Sequence, residues 1–258
     1  MLKNMIEQFV FFPNKNLEKT PNNIGIQFEN IYLYLHEKKI HGWYIKNNTN
    51  NNKKILQNKI ILFFHGNAGN ISFRLNYIKT FYDIGFSLLF FDYPGFGLSE
   101  GLPNEENCIE TGHLYYSFLI NKKKYKHSDI IFYGESIGGS IVTCVANKIN
   151  AKYLILQSTF TDIKKIIKKL ILGNYVNIVI DQIGFETLNY LKKRYKMNLI
   201  EKKMKTLIIH SYDDEIIDVS NAKELSSYSD DLIICEGTHS NIKMNNELIF
   251  KIIDFIDK

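Results

Sequence analysis

The chain has 258 residues, 45% of them hydrophobic and 23% charged, with a formal net charge of +5. That is enough apolar material for one sizeable core and too much for a disordered chain. No apolar run reaches the ~20 residues that span a bilayer, and the charge is too localised, with no binding motif, to suggest a nucleic-acid partner.

The apolar patch within residues 1–12 is interrupted by Glu7 and Gln8, so it reads poorly as a secretory leader. Cys108, Cys144 and Cys235 are scattered, lack metal-ligand spacing and read as reduced core residues. Both observations lead us to expect a cytoplasmic protein. Residues 24–35 and 39–45 alternate like two strands joined by a polar turn, an antiparallel hairpin at a sheet edge. An Asn-rich loop follows over 46–54.

Residues 59–64 form an apolar strand that runs into His65-Gly66-Asn67-Ala68-Gly69-Asn70, and helical spacing resumes over 71–82. Strand 86–91 leads into the turn-rich Asp92–Ser99, and Asn104 opens a helix with Glu105, Glu106 and Glu110 near its start. After strand 152–157 the segment 160–204 breaks the rhythm: it is helical by pattern and sits where an inserted cap would sit. Strand 205–210, helix 219–227, strand 231–235 and a helix ending near Asp257 complete the chain. Alternating strands and helices predict a single α/β domain over 1–258, with a mostly parallel, doubly wound sheet. Sites in such sheets lie beyond the carboxyl ends of the strands.

One stretch carries the chemistry. Residues 130–133 read as a buried strand, residues 141–147 as helix, and Gly134-Glu135-Ser136-Ile137-Gly138 between them is G-x-S-x-G, the pattern of a nucleophile elbow. A serine on a strained strand-to-helix turn needs neighbours without a Cβ where chains cross. Such a serine needs a base, and the base needs an acid to hold its tautomer, in the chain order Ser, Asp or Glu, His. His239 follows the last strand and is the base this order selects; His210 ends a strand and reads as packed. Asp213, Asp214 and Asp218 share the loop after strand 205–210, with Asp162 as an outside candidate. Backbone N–H groups of Ile137 and of the 65–68 loop, at Asn67, would form the oxyanion hole. His65 reads as a loop-shaping residue.

These motifs resemble the α/β-hydrolase superfamily, and within it the BEM-forty-six-like branch. The likeness rests on His65–Ile71 with Arg74-Leu75, on Asp92-Tyr93-x-Gly95-Phe96-Gly97-x-Ser99-x-Gly101, on the elbow, on Asp214-x-x-Ile217 and on Glu236-Gly237-Thr238-His239. It spans residues 25–257. The resemblance implies an α/β-hydrolase fold with a short helical cap at 160–204. It also implies a serine hydrolase acting on ester or thioester bonds of an acyl, lipid-like substrate, without metal or organic cofactor. In that register Ser136 is the nucleophile, Asp214 the acid and His239 the base. Many members carry an N-terminal membrane anchor, and the related depalmitoylating group an N-terminal cysteine cluster; neither pattern stands here. Asp218 occupies a position where proline is common.

Two further readings concern surfaces. Residues 161–205 hold eleven basic against four acidic side chains, a net of +7 against +5 for the whole chain. Ile163, Ile166, Ile167, Leu170 and Ile171 share one helical face and Lys164, Lys165, Lys168 and Lys169 the other, so residues 161–172 are expected either to contact an anionic membrane or to cap the site with the lysines in water. The rival to catalysis is a membrane-associated scaffold that uses the same fold without chemistry.

Overall fold

The computed structural model describes residues 10–48, 56, 58–170, 184–201 and 204–257. The Asn-rich stretch 49–52 and residues 171–172 of the expected basic helix lie outside them.

Eight strands form the central sheet: β1 (Glu29–Leu35), β2 (Lys38–Ile45), β3 (Ile60–Phe64), β4 (Ser87–Phe91), β5 (Ile130–Glu135), β6 (Tyr153–Gln157), β7 (Lys205–Ser211) and β8 (Asp231–Cys235). Across the sheet the order is β8-β7-β6-β5-β3-β4-β2-β1. The β1–β2 and β2–β4 pairs are antiparallel and the rest parallel. His36 and Glu37 close the β1–β2 hairpin with positive φ at both positions, as a tight two-residue turn needs.

The helices are α1 (Leu75–Ile84), α2 (Glu105–Asn121), α3 (Ile137–Lys148), α4 (Ile163–Leu170), α5 (Thr187–Glu201), α6 (Ser220–Ser226) and α7 (Asn246–Asp257). Because β3 to β7 are covered on both faces, their residues are apolar without alternation. Leu62 and Phe64 of β3 join the core beneath α2 and α3. Ile61 and Phe63 join the core beneath α1 and α7. On that second face Phe63 stacks between Phe90 and Tyr133, with ring centroids 4.4 and 5.2 Å away, which ties β4, β3 and β5 through one aromatic row.

Two local differences from the sequence reading have plain causes. Helix α1 starts at Leu75, because Asn70 accepts from the N–H of Ser72 and winds residues 71–74 into a 3₁₀ turn first. Helix α3 starts at Ile137, directly behind the elbow.

Of the segment expected as a cap, residues 171–183 and 202–203 lie outside the described residues, and the described part holds two helices, α4 and α5. Helix α5 belongs to the helical layer beside α3: Asn147 Nδ2 donates to the carbonyl of Tyr190 at 2.8 Å. The fully buried Arg194 reaches the start of β6 and β7, donating to the carbonyl of Ala151 at 2.7 Å and to Thr206 Oγ1 at 2.9 Å. Helix α4 lies at the carboxyl end of β6, with Ile163 and Ile166 in the core and Lys165 and Lys168 exposed.

Candidate active site

The turn between β5 and α3 forces Ser136 to φ 55° and ψ −121°, a left-handed conformation that costs a non-glycine residue of order 1–3 kcal/mol. Neighbouring packing enforces it. A Cβ on Gly134 would overlap the carbonyl of Gly138, and one on Gly138 would overlap the carbonyl of Phe64. The elbow is also pinned from the sheet: Ser136 N–H donates to Gln157 O at 2.9 Å, and Thr159 Oγ1 donates to Ser136 O at 2.8 Å. The hydroxyl is thereby presented beyond the strand end, at the start of a helix whose N-terminal dipole favours negative charge.

His239 and Asp214 reach this hydroxyl from two other strand ends. Ser136 Oγ lies 3.1 Å from His239 Nε2, and His239 Nδ1 lies 2.8 and 3.0 Å from the two oxygens of Asp214. A carboxylate at Nδ1 fixes the tautomer: Nδ1–H donates to Asp214, so Nε2 accepts from the serine. Burial pushes the Asp214 carboxyl upward. Hydrogen bonds from His239 and from the N–H groups of Ile217 (2.7 Å) and Ile216 (3.0 Å) outweigh it and hold the group below the usual carboxylate range. The chain is thus a relay of acceptor, donor and hydroxyl with all three residues nearly out of water.

Two of the other carboxylates considered from sequence, Asp162 and Asp218, have different work. Asp162 Oδ1 accepts from the N–H of Lys164 at 2.8 Å and so caps α4. Asp218 Oδ1 accepts from the N–H of Ser220 at 2.9 Å, at the start of α6. His210 is buried beneath Asp214, with Nε2–H donating to Ile217 O at 2.8 Å.

The loop after β3 runs beside the elbow. A Cβ on Gly66 would stand 3.5 Å from Ser136 Cβ. Asn67 is tied down by a segment the sequence reading passed over. Phe12 N–H donates to Asn67 O at 2.8 Å, Asn67 Nδ2 donates to Val10 O at 3.0 Å, and Phe12–Pro13 pair with Ala68–Gly69 as a short parallel ladder. Val10 and Phe11 are the buried residues that dock this strap. Their only sequence signal was an apolar patch near the start of the chain. Ile137, the other expected donor, is the buried first residue of α3.

His65 is fully buried. Nδ1–H donates to Gly66 O at 2.7 Å, and burial together with the nearby Arg74 charge pushes its pKa down to about 3. It is a neutral group that shapes the loop. Among the described residues no helix is long and apolar enough to cross a membrane, and no group of three His, Cys, Asp or Glu side chains is placed to hold a metal ion.

A family model described as serine aminopeptidase, S33, matches residues 57–183. An uncharacterized protein of Acanthamoeba polyphaga mimivirus is 29% identical over 220 residues, which cover 78% of this chain and 73% of that protein. Protein bem46 of Schizosaccharomyces pombe is 26% identical over 211 residues, 80% of this chain and 68% of that protein. Of two further relatives, from yeast and Arabidopsis thaliana, the chain spans about half the length. Among solved structures, an esterase of Pyrococcus furiosus superposes with a TM-score of 0.73 over 96% of this chain and 97% of that one, at 15% identity, a likeness of fold.

Proposed function

We propose that this chain, an α/β-hydrolase by fold and a relative of the Bem46 proteins in sequence, is a serine hydrolase that cleaves ester or thioester bonds of acyl, lipid-like substrates. The observation that carries the proposal is the unbroken relay from Asp214 through His239 to Ser136, ending on a hydroxyl held in a strained turn. A scaffold gains nothing from that strain.

In the proposed reaction Ser136 Oγ attacks the acyl carbon as its proton passes to His239 Nε2. Asp214 stabilises the imidazolium and keeps it oriented. The N–H groups of Ile137 and Asn67 take the developing oxyanion. Nε2–H then protonates the departing alcohol or thiol, leaving Ser136 acylated. Water, deprotonated by the same nitrogen, releases the acid and restores the serine. Apart from substrate and water, each step uses groups of this chain.

Ser136→Ala and His239→Ala are each expected to lower hydrolysis of a p-nitrophenyl ester by ~10³-fold or more while the circular dichroism stays that of the parent. Substrates of graded acyl length, and a p-nitroanilide beside the ester, report chain preference and ester against amide. Retention of more than a few per cent of the activity in folded Ser136→Ala would sink the proposal in favour of a scaffold or another nucleophile.

A further inference from the structure

Glu135 is the variable position of G-x-S-x-G. It is almost completely buried, and its Oε2 accepts two hydrogen bonds: one from the N–H of Gly66 at 3.1 Å and one from Arg74 Nε at 3.0 Å. Arg74, at the end of the 3₁₀ turn before α1, also donates from Nη1 to the carbonyl of Ala68 at 3.0 Å. Its side chain is 12% exposed and that of Glu135 7%. The pair therefore grips the β3–α1 loop at Gly66 and at Ala68, the residues on either side of Asn67, while its anchor is the residue next to Ser136.

We propose that Arg74 and Glu135 are a positioning pair that sets the Asn67 N–H against the nucleophile and so preorganises the oxyanion hole. The inference rests on the reading of Ser136 as nucleophile and Asn67 as oxyanion donor. Three features favour positioning over mere stability. The pair joins the two segments that must converge on one substrate oxygen, 61 residues apart in sequence. It is charge-balanced, so it holds the loop without adding net charge beside the reacting centre. A planar guanidinium uses separate N–H groups for the carboxylate and the carbonyl, which a lysine ammonium on a flexible stem cannot reproduce with the same direction. The strap through Val10 and Phe12 grips Asn67 from its other side, so the loop is fixed between the strap and the pair. A donor displaced by about 1 Å in such a site costs about 10²-fold in rate.

The test uses the full chain with p-nitrophenyl butyrate and a boronic acid that forms a tetrahedral adduct on the serine. Arg74→Ala and Arg74→Lys are expected to lower kcat about 10²-fold with KM within about twofold, and to weaken boronic acid binding in parallel. Added guanidinium should restore part of the kcat of Arg74→Ala and leave the parent unchanged. Should Arg74→Ala fail to fold because Glu135 is left unpaired, the doubly neutral Arg74→Gln, Glu135→Gln protein keeps a Gly66 acceptor without buried charge and is expected to show the same kcat loss. A folded variant with kcat within twofold of the parent, or a rate loss without weaker adduct binding, would overturn the positioning role. If Ser136→Ala in the same assay stays active, the fault lies instead in the underlying serine hydrolase reading.

Discussion

Among the acids weighed from sequence, Asp214 is the one shown with its carboxylate against the imidazole of His239. Two backbone donors and His239 converge on its carboxylate, whereas Asp162 and Asp218 spend an oxygen each on a helix start. Asn replacement keeps the shape and removes the charge, so the proposed mechanism predicts one severe loss among Asp162→Asn, Asp213→Asn, Asp214→Asn and Asp218→Asn. In steady-state ester hydrolysis, kcat should drop about 10⁴-fold at 214 and change only a few-fold elsewhere; a larger loss at 162 would move the acid to the previous strand. His65 gives a second residue-scale expectation, this one for stability. Its imidazole takes a proton near pH 6.5 when unfolded but stays neutral to about 3 when folded. Between those values the unfolded chain binds the extra proton, so its contribution is whole above about pH 6.5 and lost on acidification, by about 1.4 kcal/mol per pH unit. Asp214, held below its usual range, acts only below about pH 4, where the two effects separate. Urea unfolding at pH 7.5 and pH 5 should show a steeper loss in the parent than in His65→Asn, and equal slopes would contradict the burial argument.

Helix α4 shows how packing bears on two readings of one pattern. Its isoleucine and lysine faces suit a membrane surface as well as a cap, and spacing alone does not separate them. In the fold, Ile163 and Ile166 are spent on the core, Lys164 pairs with Glu186 at 2.9 Å, and Glu105 of α2 holds the following segment by accepting from Phe185 N–H at 2.7 Å and Tyr190 Oη at 2.8 Å. Ile163 and Ile166 cannot enter a bilayer without leaving the core. Contact with an anionic surface is therefore proposed to be electrostatic, through exposed lysines worth about 1 kcal/mol each at low salt. Co-sedimentation with phosphatidylserine vesicles should weaken in Lys165→Gln, Lys168→Gln and vanish in high salt, since screening shortens the reach of charge. Binding that resists salt would mean the isoleucines leave the core. Elements of this kind also mark the limit of the sequence. The parallel strands were legible to within about two residues, because strands covered on both faces are continuous apolar runs, whereas the edge strand expected from residue 24 begins at Glu29. The packing of α5 beside α3 was not legible, because it depends on Arg194 reaching the sheet's amino ends, and no periodicity encodes that.

For the molecule as a whole, the site is a product of topology. Ser136, Asp214 and His239 lie after β5, β7 and β8, and only the parallel order of those strands brings their carboxyl ends to one edge. The elbow and the order of the trio were readable because glycines at fixed spacing and a late histidine are local signals. The strap at Val10–Pro13 and the Arg74–Glu135 pair were not, because each joins segments more than fifty residues apart through contacts that leave no pattern in either one. The central claim is that this fold assembles a reactive serine, and covalent labelling tests it most directly. A fluorophosphonate probe followed by peptide mass spectrometry should place one adduct on the peptide containing Ser136, none in Ser136→Ala, and a labelling rate in His239→Ala lower by ~10³-fold or more. Labelling that persists in Ser136→Ala, or a folded parent protein that takes up no probe, would contradict the account.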